Sequence, residues 1–263
     1  MIAKELREAW WKLAAATAVV FVAILTMPIL TPYEEIVRAY DSSLGRLEIS
    51  VLELFGLYTA GGFFVLVPLA ALLGGTLVSS EVSGNTIYLL LSRPTRRRRL
   101  LLHKYAVCAG LLLVAAVSGD VLVIVLASAN GYPLGFLTLT GLVFSAGLMW
   151  LGSLFVLGVG LLFSIILRSV LGSVVATALA AYAFYALPLA VIELLSYTRA
   201  YFMNSNFVSP DYELAFRLTL FNYWSDESLF AGESFVLPHF AICIVAATLP
   251  LLAALWLFGR KAY

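Results

Sequence analysis

The chain has 263 residues, 62% of them hydrophobic and 12% charged, against roughly 45–50% and about 25% in soluble domains. That much apolar surface excludes a water-soluble globular domain, and a net charge of +1 argues against a nucleic-acid binder. Cys108 and Cys243 both lie in apolar runs and indicate no disulfide framework.

Residues 1–12 form the first predicted element. Ile2, Leu6, Ala9, Trp10 and Leu13 fall on one helical face, with Lys4, Glu5, Arg7, Glu8 and Lys12 mostly on the other, an amphipathic pattern. Trp10 and Trp11 suit the headgroup layer. The stretch reads as an interfacial helix turning into the first span, or as an early start of that span. Charges of both signs and no well-placed cleavage site make it a retained segment, not a signal peptide.

A transmembrane helix needs about 20 mostly apolar residues. Six stretches qualify: residues 13–30, 54–78, 105–129, 137–167, 169–192 and 237–258. No strand-like alternation recurs, which argues against a barrel. The expected fold is an all-α integral membrane protein: one transmembrane domain over 1–263 with six helices, and long outer loops at 31–53 and 193–236. The second of these loops is rich in aromatics, as expected of short surface helices or of a lid.

Basic residues set the orientation. With the N-terminus cytoplasmic, Lys4, Arg7, Lys12, Arg93, Arg96, Arg97, Arg98, Arg99, Lys104, Arg168, Arg260 and Lys261 fall inside, and only Arg38, Arg46, Arg199 and Arg217 fall outside. A multi-pass protein of the cell membrane with both termini cytoplasmic is expected.

Several kinds of chemistry are missing. No G-x-x-x-x-G-K-[ST] motif occurs and no lysine follows a glycine, so the chain lacks the means to cradle ATP phosphates. His103 and His239 fall in different segments, and no metal site or catalytic triad is suggested. Neither an enzyme nor a cofactor-binding chain is indicated. Asp120 is the one Asp, Glu, Lys or Arg inside a predicted span; such a carboxylate is a candidate for the substrate pathway, or a protonated group bonded to a neighbour near the outer interface. Pro68, midway along the second span, removes a backbone hydrogen bond and is a hinge candidate or a fixed kink. Gly172, Ala176 and Ala180 on the fifth span, and Gly160 and Ser164 on the fourth, form small-residue stripes suited to close helix packing.

The most specific stretch runs from Pro68 to Lys104: "PLAALLGGTLVSSEVSGNTIYLLLSRPTRRRRLLLHK". A small-residue turn at Gly74 and Gly75 precedes Glu81. Gly84 and Thr86 follow, then Leu89, Leu90 and Leu91, then Ser92, Arg93 and Pro94, then the run Arg96, Arg97, Arg98 and Arg99 and finally Lys104. This order resembles the ABC-2 type permeases, membrane subunits of one class of ATP-binding-cassette transporter. Asn85 between Gly84 and Thr86, and four arginines in succession, depart from the usual pattern.

The resemblance implies that two six-span subunits pair, as a homodimer or with a close paralogue, and that each docks on a separate ABC ATPase. ATP and Mg would then be held by the two ATPases, and none by this chain. It also implies a cytoplasmic coupling helix between spans two and three, with Glu81, Gly84, Thr86, Leu89, Leu90, Leu91, Arg93, Pro94, Arg96 and Arg97 at the ATPase contact. The residues agree: Thr86 is a helix-capping type, the leucines make an apolar plug and Pro94 interrupts a run into span three. An ordinary hairpin connection is the plainer reading. Glu81 would be free to pair with an arginine.

Cations at a helix N-terminus oppose the macrodipole, so the arginine run needs an offset, from anionic lipid or from acidic groups on the ATPase. The function expected is ATP-driven export or extraction of a hydrophobic or amphipathic substrate. The alternatives are a stand-alone secondary carrier, or a non-transporting anchor that passes ATP-driven motion to an extracytoplasmic partner.

Overall fold

The computed structural model describes residues 65–84, 97–132, 134, 139–167, 169–203 and 236–260, with single positions at 14, 18, 32, 34 and 35. Predicted span one, the N-terminal interfacial helix and most of both outer loops lie outside the described residues. Among those described, the elements are helical: α1 Val65–Thr76, α2 Ser79–Ser83, α3 Arg97–Ala129, α4 Leu139–Leu167, α5 Val170–Met203 and α6 Val236–Arg260. The segments Arg98–Ala129, Gly141–Leu167 and Phe240–Arg260 are long and apolar enough to cross a membrane, and Val65–Thr76 and Val170–Phe184 are shorter apolar stretches.

Predicted spans four and six agree with α4 and α6 to within two residues at each end. Two boundaries move. Span three was expected from residue 105, but α3 begins at Arg97; the arginines and Lys104 are strong helix formers, and hydropathy windows discard them. Span five was expected to end at 192, but α5 continues to Met203, so residues 193–203 of the predicted outer loop are helix. Glu193 and Arg199 fall in this extension, and polar residues end a hydropathic span without ending a helix.

Helix α4 is the centre of the bundle, packed on α3, α5 and α6. Its antiparallel register with α3 is held by Trp150 Nε1, which donates to Ala109 O at 2.8 Å, and by Tyr105 Oη, which donates to Leu154 O at 3.2 Å. Both polar tips thereby find backbone acceptors inside an apolar interface, where an unmet donor is costly. Helix α5 doubles back on α4 after a tight turn. Ser169 Oγ accepts the Gly172 N–H at 3.3 Å, an N-cap geometry, and Phe155 meets Phe184 edge to face at 5.2 Å.

Helix α6 runs parallel to α4. Phe240 meets Phe144 at 5.5 Å between ring centroids and lies over Gly147, while Pro250 and Leu251 lie over Gly158. Pro250 breaks one intrahelical hydrogen bond of α6, a helix interruption that the sequence reading passed over in favour of Pro68. Pro68 is within α1 with an exposed side chain.

The small-residue stripe expected on α5 is displaced by one position. Gly172, Ala176 and Ala180 are only partly covered, whereas Ser173, Thr177 and Ala181 are buried. The serine and threonine satisfy themselves along the helix: Ser173 Oγ donates to Ser169 O at 2.6 Å and Thr177 Oγ1 to Ser173 O at 2.6 Å. Both stripes are small-xxx-small, so spacing alone does not choose between them.

Gly160 does form a close crossing, and its partner is Gly74. A β-carbon on Gly160 would stand 2.9 Å from Gly74 Cα and from Gly75 N, well inside contact. Gly160→Ala is therefore expected to cost about 1–3 kcal/mol through overpacking. Gly110→Ala, where nothing lies within 4 Å, should be neutral or gain up to about 1 kcal/mol from helix propensity. Thermal unfolding in detergent micelles, followed by circular dichroism, checks both.

Candidate functional site: the basic end of the bundle

The helix directions bring five helix ends together. The C-terminus of α1, helix α2, the N-terminus of α3, the α4–α5 turn and the C-terminus of α6 all lie at one end of the bundle, as their mutual contacts require. This end carries Arg98, Arg99, Lys104 and Arg260 among the described residues.

Helix α1 stops because its geometry is pulled apart at Leu77 and Val78. Gly74 and Gly75 press the backbone against α4 and α5: a β-carbon on Gly74 would lie 2.6 Å from Leu157 O, and one on Gly75 would lie 2.9 Å from Val174 N. Thr76 Oγ1 donates to Leu72 O at 2.8 Å, a back-bond that loosens the last turn. The N–H groups of Val78 and Ser79 then leave the helical ladder. Both are received by the hydroxyl of Ser164, at 2.9 Å and 2.7 Å. Ser164 and Ser79 are fully buried, and Ser79 Oγ donates back to Gly75 O. The short helix α2 thus starts on a hydrogen-bond cap supplied by another span.

Glu81 sits in the first turn of α2, where a carboxylate complements the helix N-terminus. It pairs with Lys104 of α3, their side chains only 18% and 11% exposed. The expected arginine partner is thus replaced by lysine. Two turns after its start α3 presents Lys104 to α2, whereas Arg98 and Arg99, in the first turn, are exposed. Gly84 closes α2 with φ −85°, donating its N–H to Ser80 O at 3.1 Å. Thr86, Leu89, Leu90, Leu91, Arg93, Pro94 and Arg96 lie outside the described residues, and Arg97 is described only as the first residue of α3.

Arg98 resolves part of the electrostatic problem posed by the arginine run. Its guanidinium lies against the last turn of α6, so near that a β-carbon on Gly259 would stand 3.3 Å from Nε and from Nη2. The last carbonyls of a helix lack intrahelical donors and carry the negative end of the dipole. The cation that is misplaced at the N-terminus of α3 is well placed at the C-terminus of α6. Arg260 reaches back over the Trp256 ring, 4.0 Å from its centroid, a cation–π contact.

Asp120 is far from this cluster. It is 6% exposed, on α3, roughly 22 Å along the helix from Tyr105. The α3–α4 register places it level with the start of α4 near Leu139, at the opposite end of the bundle. No group of three or more metal-ligating side chains occurs among the described residues.

The Glu81–Lys104 pair lends itself to a double-mutant cycle. Glu81→Gln and Lys104→Met should each destabilise the subunit, with a coupling energy of about 1–3 kcal/mol, measured as unfolding free energy in mixed micelles. The double variant should recover part of the loss, because it leaves no uncompensated charge near the interior.

No curated protein matches the chain. The family model described as ABC-2 family transporter protein matches residues 1–262, a span that includes every helix above. Membership implies embedding in a membrane and partnership with an ABC ATPase. The chain belongs to the ABC-2 transporter family.

Proposed function

We propose that this chain is the permease subunit of an ABC transporter, and that a separately encoded ATPase docks on the basic end of the bundle. Two copies, or this chain and a close paralogue, pair in the membrane, each with one ATPase that holds ATP and Mg. The basic end is cytoplasmic, since Arg98, Arg99, Lys104 and Arg260 gather there, as the distribution of lysine and arginine across a membrane demands. Both termini lie on that side.

The observation that carries the reading is the anchoring of helix α2. Glu81, at the root of the connection between α1 and α3, is tied to Lys104, and the backbone just before it is tied to Ser164. A segment that receives force from an ATPase needs such fixings at its base. The connection from Gly84 to Arg97, with Thr86, Leu89–Leu91, Arg93, Pro94 and Arg96, is the docking segment.

ATP-driven movement of the segment switches the bundle, and a hydrophobic or amphipathic molecule is exported or extracted. Asp120, at the far end of α3, faces the exit half of the route, and Pro68 and Pro250 are the places where α1 and α6 bend. An ATPase carrying Walker motifs should copurify with the chain in equal number. Shortening Leu89–Leu91 should abolish ATP-driven transport while leaving the subunit inserted and paired. Retained transport in that variant, or a proton-driven flux from ATPase-free protein, overturns the proposal. Replacing Arg96–Arg99 by Gln should weaken ATPase docking or perturb topology, read by copurification and by cysteine accessibility from each side.

A further inference from the structure

The α1–α2 corner is attached to α3 and to α4 in two physically different ways. To α3 it is attached by the Glu81–Lys104 ion pair. That link runs through two long side chains with many rotatable bonds, and an ammonium keeps its partner through a wide range of positions. To α4 it is attached by backbone. Both N–H groups at the corner go to one short side chain, Ser164, and one helical turn away Gly160 touches Gly74 with no side chain between them. Residues four apart lie on the same helical face, so Gly160 and Ser164 grip the corner at two successive levels. Neither serine in the grip is reached by solvent, and no water competes for the two donors.

We propose that Ser164 is a positioning residue that locks α4 to the α1–α2 corner, so that α4 moves with the coupling segment as one body while the turns of α3 that precede its Tyr105 and Ala109 hydrogen bonds to α4 shift against it. The inference rests on the ATP-driven reading above and adds which span carries the motion. The stiff joint transmits displacement and the compliant ion pair accommodates it. The large interface between α4 and α6 then carries α6 along.

The test uses the full chain in lipid nanodiscs with its copurified ATPase, in a Cys108→Ala, Cys243→Ala background. Spin labels are placed at the exposed positions Ser80, Ile166 and Leu102, as the pairs Ser80→Cys/Ile166→Cys and Ser80→Cys/Leu102→Cys. Between the nucleotide-free and ATP–vanadate-trapped states, the Ser80–Ile166 distance should stay fixed and the Ser80–Leu102 distance should shift. In Ser164→Ala the Ser80–Ile166 distance should become nucleotide-dependent, and amide exchange at Val78 and Ser79 should quicken roughly tenfold, the scale of one lost net hydrogen bond. Ser164→Thr, which keeps the hydroxyl, should retain slow exchange. A Ser80–Ile166 distance that shifts with nucleotide in the unaltered chain overturns the lock while leaving the ATP-driven reading intact. If neither distance responds although ATP is hydrolysed, the lock falls together with the reading it rests on.

Discussion

In a hydrocarbon solvent a backbone N–H that leaves its helix has no water to turn to, and each unmet group costs several kcal/mol. The arrangement at the basic end follows from that constraint. Helix α1 has to stop for the chain to turn into the connection that leads to α3, and stopping releases the donors of Val78 and Ser79. The acceptor is the hydroxyl of Ser164, buried on the central helix. For that hydroxyl to reach them the backbones of α1 and α4 must touch, and glycine at 74 and at 160 permits the touch. One hydrogen-bonding requirement therefore sets the crossing point of two spans, the origin of α2 and the place from which Glu81 reaches Lys104.

The same end gathers helix termini of opposite polarity. The N-termini of α3 and α5 and the C-termini of α4 and α6 lie side by side, so that the positive ends of two dipoles sit among the negative ends of two others. Arg98 uses this mixture. A guanidinium that its own helix dipole opposes lies instead against a neighbour's last turn, where the dipole has the opposite sign. Arg99 and Arg260 remain exposed at the rim.

Much of this was legible in the sequence, and the remainder was hidden for physical reasons. Helices α4 and α6 were placed by hydropathy because their ends coincide with changes in polarity. The start of α3 and the end of α5 were not, because Arg97–Lys104 and residues 193–203 are helical yet interrupted by charged residues. Gly160 and Ser164 stood out as a packing stripe, but composition does not reveal that the serine serves as a cap, since its partners lie far away in the chain. On α5 the stripe was displaced by one residue, because a helix apolar on nearly every side offers no polar face from which to judge its rotation. Glu81 and Lys104 were both flagged by their place in a motif. Their pairing emerged only when α2 and α3 were set together; the sequence alone had pointed Glu81 to an arginine. Arg98 and Gly259 meet although they are far apart in the chain, which local pattern does not connect.

The distance in sequence between Ser79 and Ser164, 85 positions, also bears on how the subunit is made. The chain leaves the ribosome from its N-terminus, so α1 and its corner reach the membrane well before α4 exists. Throughout that interval the N–H groups of Val78 and Ser79 need a temporary acceptor, and the headgroup layer is where water can supply one. Arrival of α4 replaces that water with a hydroxyl and seals the corner. The serine is thus a late-arriving clasp, and the first half of the subunit stays unfinished at this corner until the second half is threaded into place.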